Sequence, residues 1–338
     1  MYPLDQGLWG PTVRIIHIRD ELAKLVALDV VSGYRGSRRG ALLRYAFSGR
    51  LRGLDAIYVE SSSFLPSETD IAFLGLARAL GVPVLTYIRD AYQLFPEYRV
   101  TGTLRSWIGA RAFLPAIRAL RAVSSTVAFP SEGLAQAVVA DGEHVLIPPG
   151  SPPPAGVPRL GGACELLFVG NGRLEAQGAP RLLEAVRKAR ERGASVELRV
   201  VSRAGEEPAG TLPPWVHVSR AEGSEINELL RATVATVIPR PRGAYNDLAV
   251  PIKLYDYLAY ERPLLVTDCL EQAALVRRAD AGIVTGDAPA EMADAILHMM
   301  NASNDALDRW STNARSAALA GSWASRAALI LDSLRLTS

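Results

Sequence analysis

Short apolar runs alternate along this chain with stretches whose apolar positions return at helical spacing. The runs VALDVVSG (26–33), LDAIYVE (54–60), PVLTYIR (83–89), STVAFPS (125–131) and HVLIPPG (144–150) are rich in β-branched and aromatic residues and predict strands. Between them the spacing predicts helices over Thr69–Leu80, Leu104–Ala122 and Ser131–Ala140. Ahead of the first run, a helix is expected after Gly10. Pro11 sits in its first turn, and Val13, Ile16, Ile18, Leu22, Leu25 and Val26 form its apolar face. Strand alternating with helix argues for a parallel sheet.

The rhythm breaks at PPGSPPPAGVPRLGGA (148–163), where Pro and Gly punctuate most positions, and this reads as a linker. It then restarts. CELLFVG (164–170), SVELRVV (195–201), WVHVS (215–219), VATVIP (234–239), PLLVTD (263–268) and AGIVTG (281–286) predict six strands. Helical spacing covers Pro180–Arg192, Ser224–Ala232, Glu271–Arg278, Pro289–Met300, Asp305–Ala320 and Trp323–Leu334. The fold class is therefore α/β, with two Rossmann-like domains facing across a cleft. Residues 1–150 form the first, 151–163 the linker and 164–320 the second, with a terminal helix over 321–338. Ligands of open parallel sheets bind at the carboxyl ends of the strands, so the loops there are the places to look for chemistry.

Two such loops stand out. IPRPRGAYNDLAVPIKLYDYLAYERPLLVTD (238–268) reads as strand end, polar loop, short helix and strand, with Pro251 placed to open the helix. The N-terminal end of that helix suits a phosphate. LLFVGNGRLEAQGAPRLLEAV (166–186) is a strand, a glycine loop and a helix. It half-matches a dinucleotide fingerprint, but Glu175 stands where the third glycine belongs, and Glu197 lies inside the next strand rather than at its end. A hydride-transfer site is a weak reading of it.

Both loops resemble segments of GT-B glycosyltransferases of the retaining, family-four (group 1) kind. VPIKLYDYLAYERPLLVTD is similar to that family's donor-binding segment, and the resemblance implies these roles. Asp256 would hold the donor ribose. Asn246, Asp247, Pro251, Ile252 and Lys253 would lie on the sugar and phosphate side, with Lys253 among the catalytic groups. In the glycine loop, Gly170, Asn171, Gly172 and Gly178 would bind donor, and Arg173 would face the diphosphate, where a guanidinium makes paired contacts. The sequence departs from the family's pattern in places. Asp256 replaces a usual Glu, Gln177 a usual Lys, and Glu261 a usual Gly, and the second, sugar-gripping Glu has no clear counterpart. One of Arg203, Arg240 and Arg242 is expected to make up the lost positive charge.

In the first half, Arg89-Asp90 ends a strand where the family often has His-Asp. Asp90 is a candidate for a sugar or acceptor hydroxyl, with a helix cap as its rival. Tyr92, Phe95 and Tyr98 are candidates for an acceptor groove, with core packing as theirs. Gly7, Gly10 and Arg14 are assigned to the loop facing the cleft. In the family a first strand precedes this loop; here it is either absent or encoded ahead of Tyr2. The family's terminal helix braces the first domain. The implied function is transfer of a sugar from a nucleotide-diphosphate donor to a hydroxyl acceptor, retaining and without metal or other cofactor. A catalytically silent partner subunit and a non-hydrolysing sugar-nucleotide epimerase are the alternatives.

Composition narrows this further. The chain has 338 residues, 49% apolar and 21% charged, in the range of globular proteins. No signal peptide and no membrane-spanning run is read, so the expected place is the cytoplasm. Cys164 and Cys269 have no ligand spacing, nor do His17, His144, His217 and His298, so no metal site is expected. No nucleic-acid motif appears. Lysine occurs three times against thirty-four arginines. Charge is uneven, +6 over residues 1–121 and −4 over the rest. A basic first half suits peripheral contact with an anionic membrane at its inner face.

Overall fold

The computed structural model describes residues 10–33, 35–61, 66–95, 104–139 and 142–335. The chain forms two compact units. One takes residues up to Gly150 together with the stretch from Trp323, and the other takes Ser151–Ser322. The chain therefore passes between them twice.

In the first unit, α1 (Gly10–Leu25) and α2 (Arg35–Phe47) precede β1 (Ile57–Glu60), α3 (Glu68–Ala79), β2 (Val84–Tyr87), α4 (Leu104–Val123), β3 (Thr126–Phe129), α5 (Glu132–Val139) and β4 (Val145–Leu146). The four strands are parallel and lie in sequence order, β1-β2-β3-β4. Leu85 and Tyr87 of β2 share a core with Ile18 and Leu22 of α1 and with Trp323, Ala327 and Ile330 of α13 (Trp323–Ser333). Val84 and Thr86 have the opposite parity and point to the other face, where α3 and α4 meet β2. His17 stacks on Trp323 at 5.2 Å. A Cβ on Gly150 would lie 2.5 Å from the Trp323 ring, so the chain can leave this unit there only as glycine.

The strand expected over 26–33 is not formed. This segment is irregular apart from an isolated bridge at Ser32. Its apolar run has the composition of a strand, yet Leu28 and Val30 are exposed, and no described strand lies beside it to supply ladder partners. The open edge of β1 borders a cavity of about 740 Å³, lined by residues that include Ile18, Leu22, Val31, Leu42, Ile57 and Leu334.

The second unit holds six parallel strands: β5 (Glu165–Val169), β6 (Glu197–Val201), β7 (Val216–Ser219), β8 (Thr233–Ile238), β9 (Leu264–Thr267) and β10 (Gly282–Thr285). Their order is β7-β6-β5-β8-β9-β10, so the strand that comes first in the unit's sequence is central and the order reverses between β5 and β8. That is the Rossmann arrangement, and the crevice outside the reversal is where such sheets bind ligands. Helices α6 (Ala179–Glu191), α7 (Ile226–Leu229), α8 (Ala244–Leu248), α9 (Ile252–Ala259), α10 (Leu270–Ala279), α11 (Pro289–Met300) and α12 (Asn304–Ala320) complete the unit. The helix expected over Ser224–Ala232 shrinks to a short 3₁₀ turn and α7. Leu182, Val186 and Ala189 of α6 pack with Ile296 and Met299 of α11 on one face of the sheet. Leu254, Tyr257 and Leu258 of α9 pack with Ala314 and Ala318 of α12 beside Ile238 and Val266.

The Pro-rich stretch 151–163 is tied to this unit. Ala155 N–H donates to Ala259 O, and Leu160 N–H to Arg231 O. Arg262, almost fully buried, donates to Val157 O as well as to Leu230 and Thr233 carbonyls. Glu261 has φ 56°, the left-handed region that favours glycine. Its carboxylate accepts from Gly156 N–H and from Arg315, which offsets the strain.

Candidate functional site

The crevice at the reversal of the second sheet is built from the carboxyl ends of β5 and β8 and the N-terminal ends of α6 and α9. β5 ends at Val169, and Gly170 follows with φ 155°. A Cβ there would lie 2.3 Å from Gln177 Oε1 and 2.8 Å from Lys253 Nζ. Gly170, lacking a Cβ, therefore leaves room for the Gln177 and Lys253 side chains beside the strand end. Lys253 Nζ donates to Val169 O at 3.0 Å and to Gln177 Oε1 at 3.1 Å, with the Phe168 ring 5.4 Å away. Gln177 Oε1 also accepts from Asn171 N–H, so one side chain joins the glycine loop to the lysine. Gly178 opens α6 with φ 78°, and a Cβ on it would lie 1.6 Å from Pro239 O. The start of α6 and the end of β8 meet at that glycine.

Lys253 is partly buried, and the Arg240 charge acts on it. Burial first, and Arg240 second, bring its ammonium down to about 8, with Asp256 opposing. Asp256, one turn further along α9, is pushed up to about 7 by burial, with Lys253 opposing. Among the described residues, no hydrogen bond reaches the Asp256 side chain. The crevice thus holds an ammonium lowered to about 8 beside a carboxyl raised to about 7. A dianionic ligand would hold Lys253 in the charged form.

The remaining sequence-derived candidates divide. Pro251 caps α9 and Ile252 begins it, beside Lys253. Asn171 and Gly172 belong to the glycine loop; Gly172 N–H donates to Glu206 O, and Pro208 would meet any Cβ added there. Arg173 is exposed on the same loop, its Nε on the Glu207 carbonyl at 2.8 Å. Asn246 is buried as a strut, donating to Pro241 O and accepting from Arg240. Asp247 takes both oxygens to Arg242, at 2.7 and 3.0 Å. Arg203 is exposed beyond β6, 4.0 Å from Glu222. Of the three arginines expected to make up the charge lost at Gln177, two are engaged by neighbours within the unit. Arg240 is spent on Asn246 and the Ala249 carbonyl, and Arg242 on Asp247 and Asp268.

In the first unit, Asp90 is buried just past the end of β2 and pairs with Arg89 at 3.3 Å. Phe95 is core and Tyr92 is exposed, while Gly7 and Tyr98 lie outside the described residues. Gly10 starts α1. The placing of Arg14 in a ligand-facing loop is corrected. Arg14 is on α1, 1% exposed, bonded to Glu60 at 3.1 Å and to Pro148 O, with Tyr87 3.7 Å beneath its guanidinium. Its groups are used to lock α1 to the ends of β1 and β2.

Sequence reading missed two parts of the site. Gln177 registered as a lost lysine rather than as the joint of the crevice. Tyr257, which no motif singles out, accepts the Val169 N–H on its hydroxyl at 2.7 Å and so fixes the end of β5. Among the described residues, one group could hold a metal ion: Glu165, Glu197 and His217. It stands at the start of β5, β6 and β7, the opposite end of the strands, and Arg199 already takes both oxygens of Glu165.

Residues 163–302 match the sequence family described as glycosyl transferases group 1, a span that contains the whole crevice. No curated protein matches the sequence. Among solved structures, the fold is similar to a UDP-forming α,α-trehalose-phosphate synthase from Burkholderia vietnamiensis. The TM-score is 0.60 at 14% identity, over 95% of this chain and 81% of that one. It is also similar to the corresponding synthase of Burkholderia xenovorans in complex with glucose-6-phosphate, with a TM-score of 0.58 at 13% identity over 95% and 81%. Sucrose-phosphate synthase from Thermosynechococcus elongatus gives 0.58 at 14% over 90% and 80%.

Proposed function

We propose that this chain, whose second unit is a group 1 glycosyl transferase domain and whose fold is GT-B, moves a sugar from a nucleotide diphosphate to a hydroxyl acceptor. The observation that carries this reading is Lys253 Nζ at the reversal of the second sheet, on Val169 O and Gln177 Oε1, over a glycine that leaves the strand end open. The donor diphosphate lies there, with Lys253 and the N-terminal amides of α6 and α9 facing its charge. Asp256, with free acceptor capacity, takes the ribose hydroxyls. Arg173 extends the positive charge from the glycine loop.

In the reaction the bond from the anomeric carbon to the diphosphate oxygen breaks, and a bond to the acceptor oxygen forms. The acceptor's proton goes to the departing phosphate oxygen. This gives a retaining outcome without a separate base. Lys253 stabilises the charge that develops on the leaving group, the role for which fixed charge is most effective. The reading needs no metal ion. The acceptor hydroxyl is assigned to the strand ends of the first unit, where Asp90 stands. The protein is assigned to the cytoplasm, with peripheral contact to an anionic membrane through its basic first half. The second reading is a catalytically silent relative, favoured by Gln177 where a second lysine would add charge.

A thermal-shift panel of UDP, GDP, ADP and TDP, with and without magnesium, tests the donor site. UDP comes first because the trehalose-phosphate synthases above are UDP-forming. A nucleotide at a hundred times its Kd should stabilise the fold by about 2.7 kcal/mol. No shift with any nucleotide overturns the reading. A shift without donor hydrolysis or transfer selects the silent relative.

A further inference from the structure

A second surface lies in the first unit, on α2. The inner side of this helix is anchored. Arg38 is buried and gives paired hydrogen bonds to Asp70 at 2.9 and 2.7 Å, and Asp70 in turn completes a capping box with Ser67 at the start of α3. Leu42 is buried on the same side. At 100° per residue the outer side is then fixed. Leu43 and Phe47 stand one turn apart on its mid-line, 42% and 87% exposed. Gly36 and Gly40 lie on that mid-line too, adding no side chain. Arg39 flanks the ridge on one side and Arg44 on the other, both exposed. The turn that follows adds exposed Arg50 and Arg52.

The charges here are of one sign. The sequence of α2, RGSRRGALLRYAF, contains no acidic residue. Among the described residues no ion pair involves Arg39, Arg44 or Arg52. Arg50 is paired with Asp29 at 2.8 Å, and Asp55 and Glu68 are further exposed acids of this unit, neither of them on α2. A solvated helix does not need a phenylalanine on the crest of its exposed side, and burying that residue in water's absence is favourable. A ridge of apolar side chains between two rows of arginine matches the boundary between acyl chains and headgroups.

We infer that α2 and the turn to Arg52 bind the surface of an anionic lipid bilayer, with Leu43 and Phe47 inserted among the acyl chains and Arg39, Arg44 and Arg52 on the headgroup phosphates. This surface is separate from the donor crevice, and the inference does not depend on the transferase reading. Arginine alone would also suit a nucleic acid. The exposed Leu43–Phe47 ridge favours the bilayer, because a phosphate backbone offers that pair nothing to bury against.

The test is co-sedimentation of the intact protein with vesicles of phosphatidylcholine, with and without an equal share of phosphatidylglycerol. Binding is expected to the anionic vesicles and to weaken with salt. Leu43→Ser with Phe47→Ser should reduce binding at least about tenfold. Arg39→Gln with Arg44→Gln should reduce it by roughly fivefold for each arginine. All four side chains are exposed, so the melting temperature should not move, and UDP binding serves as a separate control of the second unit. Equal partition to neutral and anionic vesicles overturns the inference. So does unchanged binding by the Leu43→Ser, Phe47→Ser variant, or retention on single-stranded RNA without vesicle binding.

Discussion

If Lys253 carries the diphosphate, nucleotide affinity must depend on pH in a particular window. Burial and Arg240 hold the Lys253 ammonium at about 8 rather than its usual 10.5. A bound diphosphate stabilises the charged form, so binding takes up a proton wherever the free protein has lost one. With a midpoint of about 8, the ammonium fraction falls from about nine-tenths at pH 7 to about one-tenth at pH 9. UDP affinity should therefore fall about tenfold over those two units, roughly 1.4 kcal/mol. The last phosphate ionisation of the nucleotide, at about 6, lies below this window. Isothermal titration calorimetry at pH 8 in two buffers of different ionisation heat should show uptake of about half a proton. Lys253→Met, which cannot titrate, should weaken binding by about 1.5–3 kcal/mol, the worth of a hydrogen bond to a charged group, and flatten the profile. Affinity that stays level from pH 7 to 9, or a slope that survives in Lys253→Met, refutes the argument.

The other predictions follow from single contacts. Asp256→Ala should weaken nucleotide binding by about 1.5–3 kcal/mol, read by the same calorimetry; unchanged affinity removes Asp256 from the site. The Asp256 carboxyl is raised from 3.8 to about 7 on folding, so the native state holds the extra proton between those values and the protein loses stability as pH rises through them; urea midpoints at pH 5 and pH 8 should differ more in wild type than in Asp256→Asn. Gly178→Ala forces a left-handed alanine against Pro239 O and should cost about 2–5 kcal/mol in urea unfolding. Arg14→Met leaves the buried Glu60 carboxylate without its cation, held by the Tyr58 hydroxyl, and should destabilise the first unit by about 3–5 kcal/mol, seen as an earlier melting phase, while UDP binding in the second unit persists.

The second unit was readable in the sequence almost strand by strand, because its central strands β5, β8 and β9 are buried almost throughout and so read as unbroken apolar runs. The first unit was less so. VALDVVSG has the composition of a strand, but composition cannot supply a neighbour to pair with, and without one the segment stays irregular. Within the site, glycines at 170 and 178 showed because a missing Cβ is visible in the sequence whatever surrounds it. The arginines misled for the opposite reason. A long side chain at a strand end looks like a ligand contact until its partners are known, and the partners of Arg14, Arg240 and Arg242 lie 46, 6 and 26 residues away along the chain at Glu60, Asn246 and Asp268.

Those partners decide how the crevice handles charge. Asn246 holds Arg240 beside the lysine, close enough to depress its proton affinity but turned to the Ala249 carbonyl. Asp247 and Asp268 cancel Arg242, and Glu175 and Asp287 hold Arg181 at the start of α6. What remains near the open strand end is the Lys253 ammonium, the outer nitrogens of Arg173 and the two helix ends. Gln177 then has a definite effect. Its carbonyl oxygen accepts from Nζ, which favours the charged lysine; removing it should shift the binding midpoint to lower pH. Gln177→Leu tests this, since it also frees Asn171 N–H and loosens the glycine loop. A weaker affinity with an unmoved midpoint would assign Gln177 to the loop alone. A midpoint that moves down would show that this glutamine sets the charge of the lysine on which the diphosphate depends.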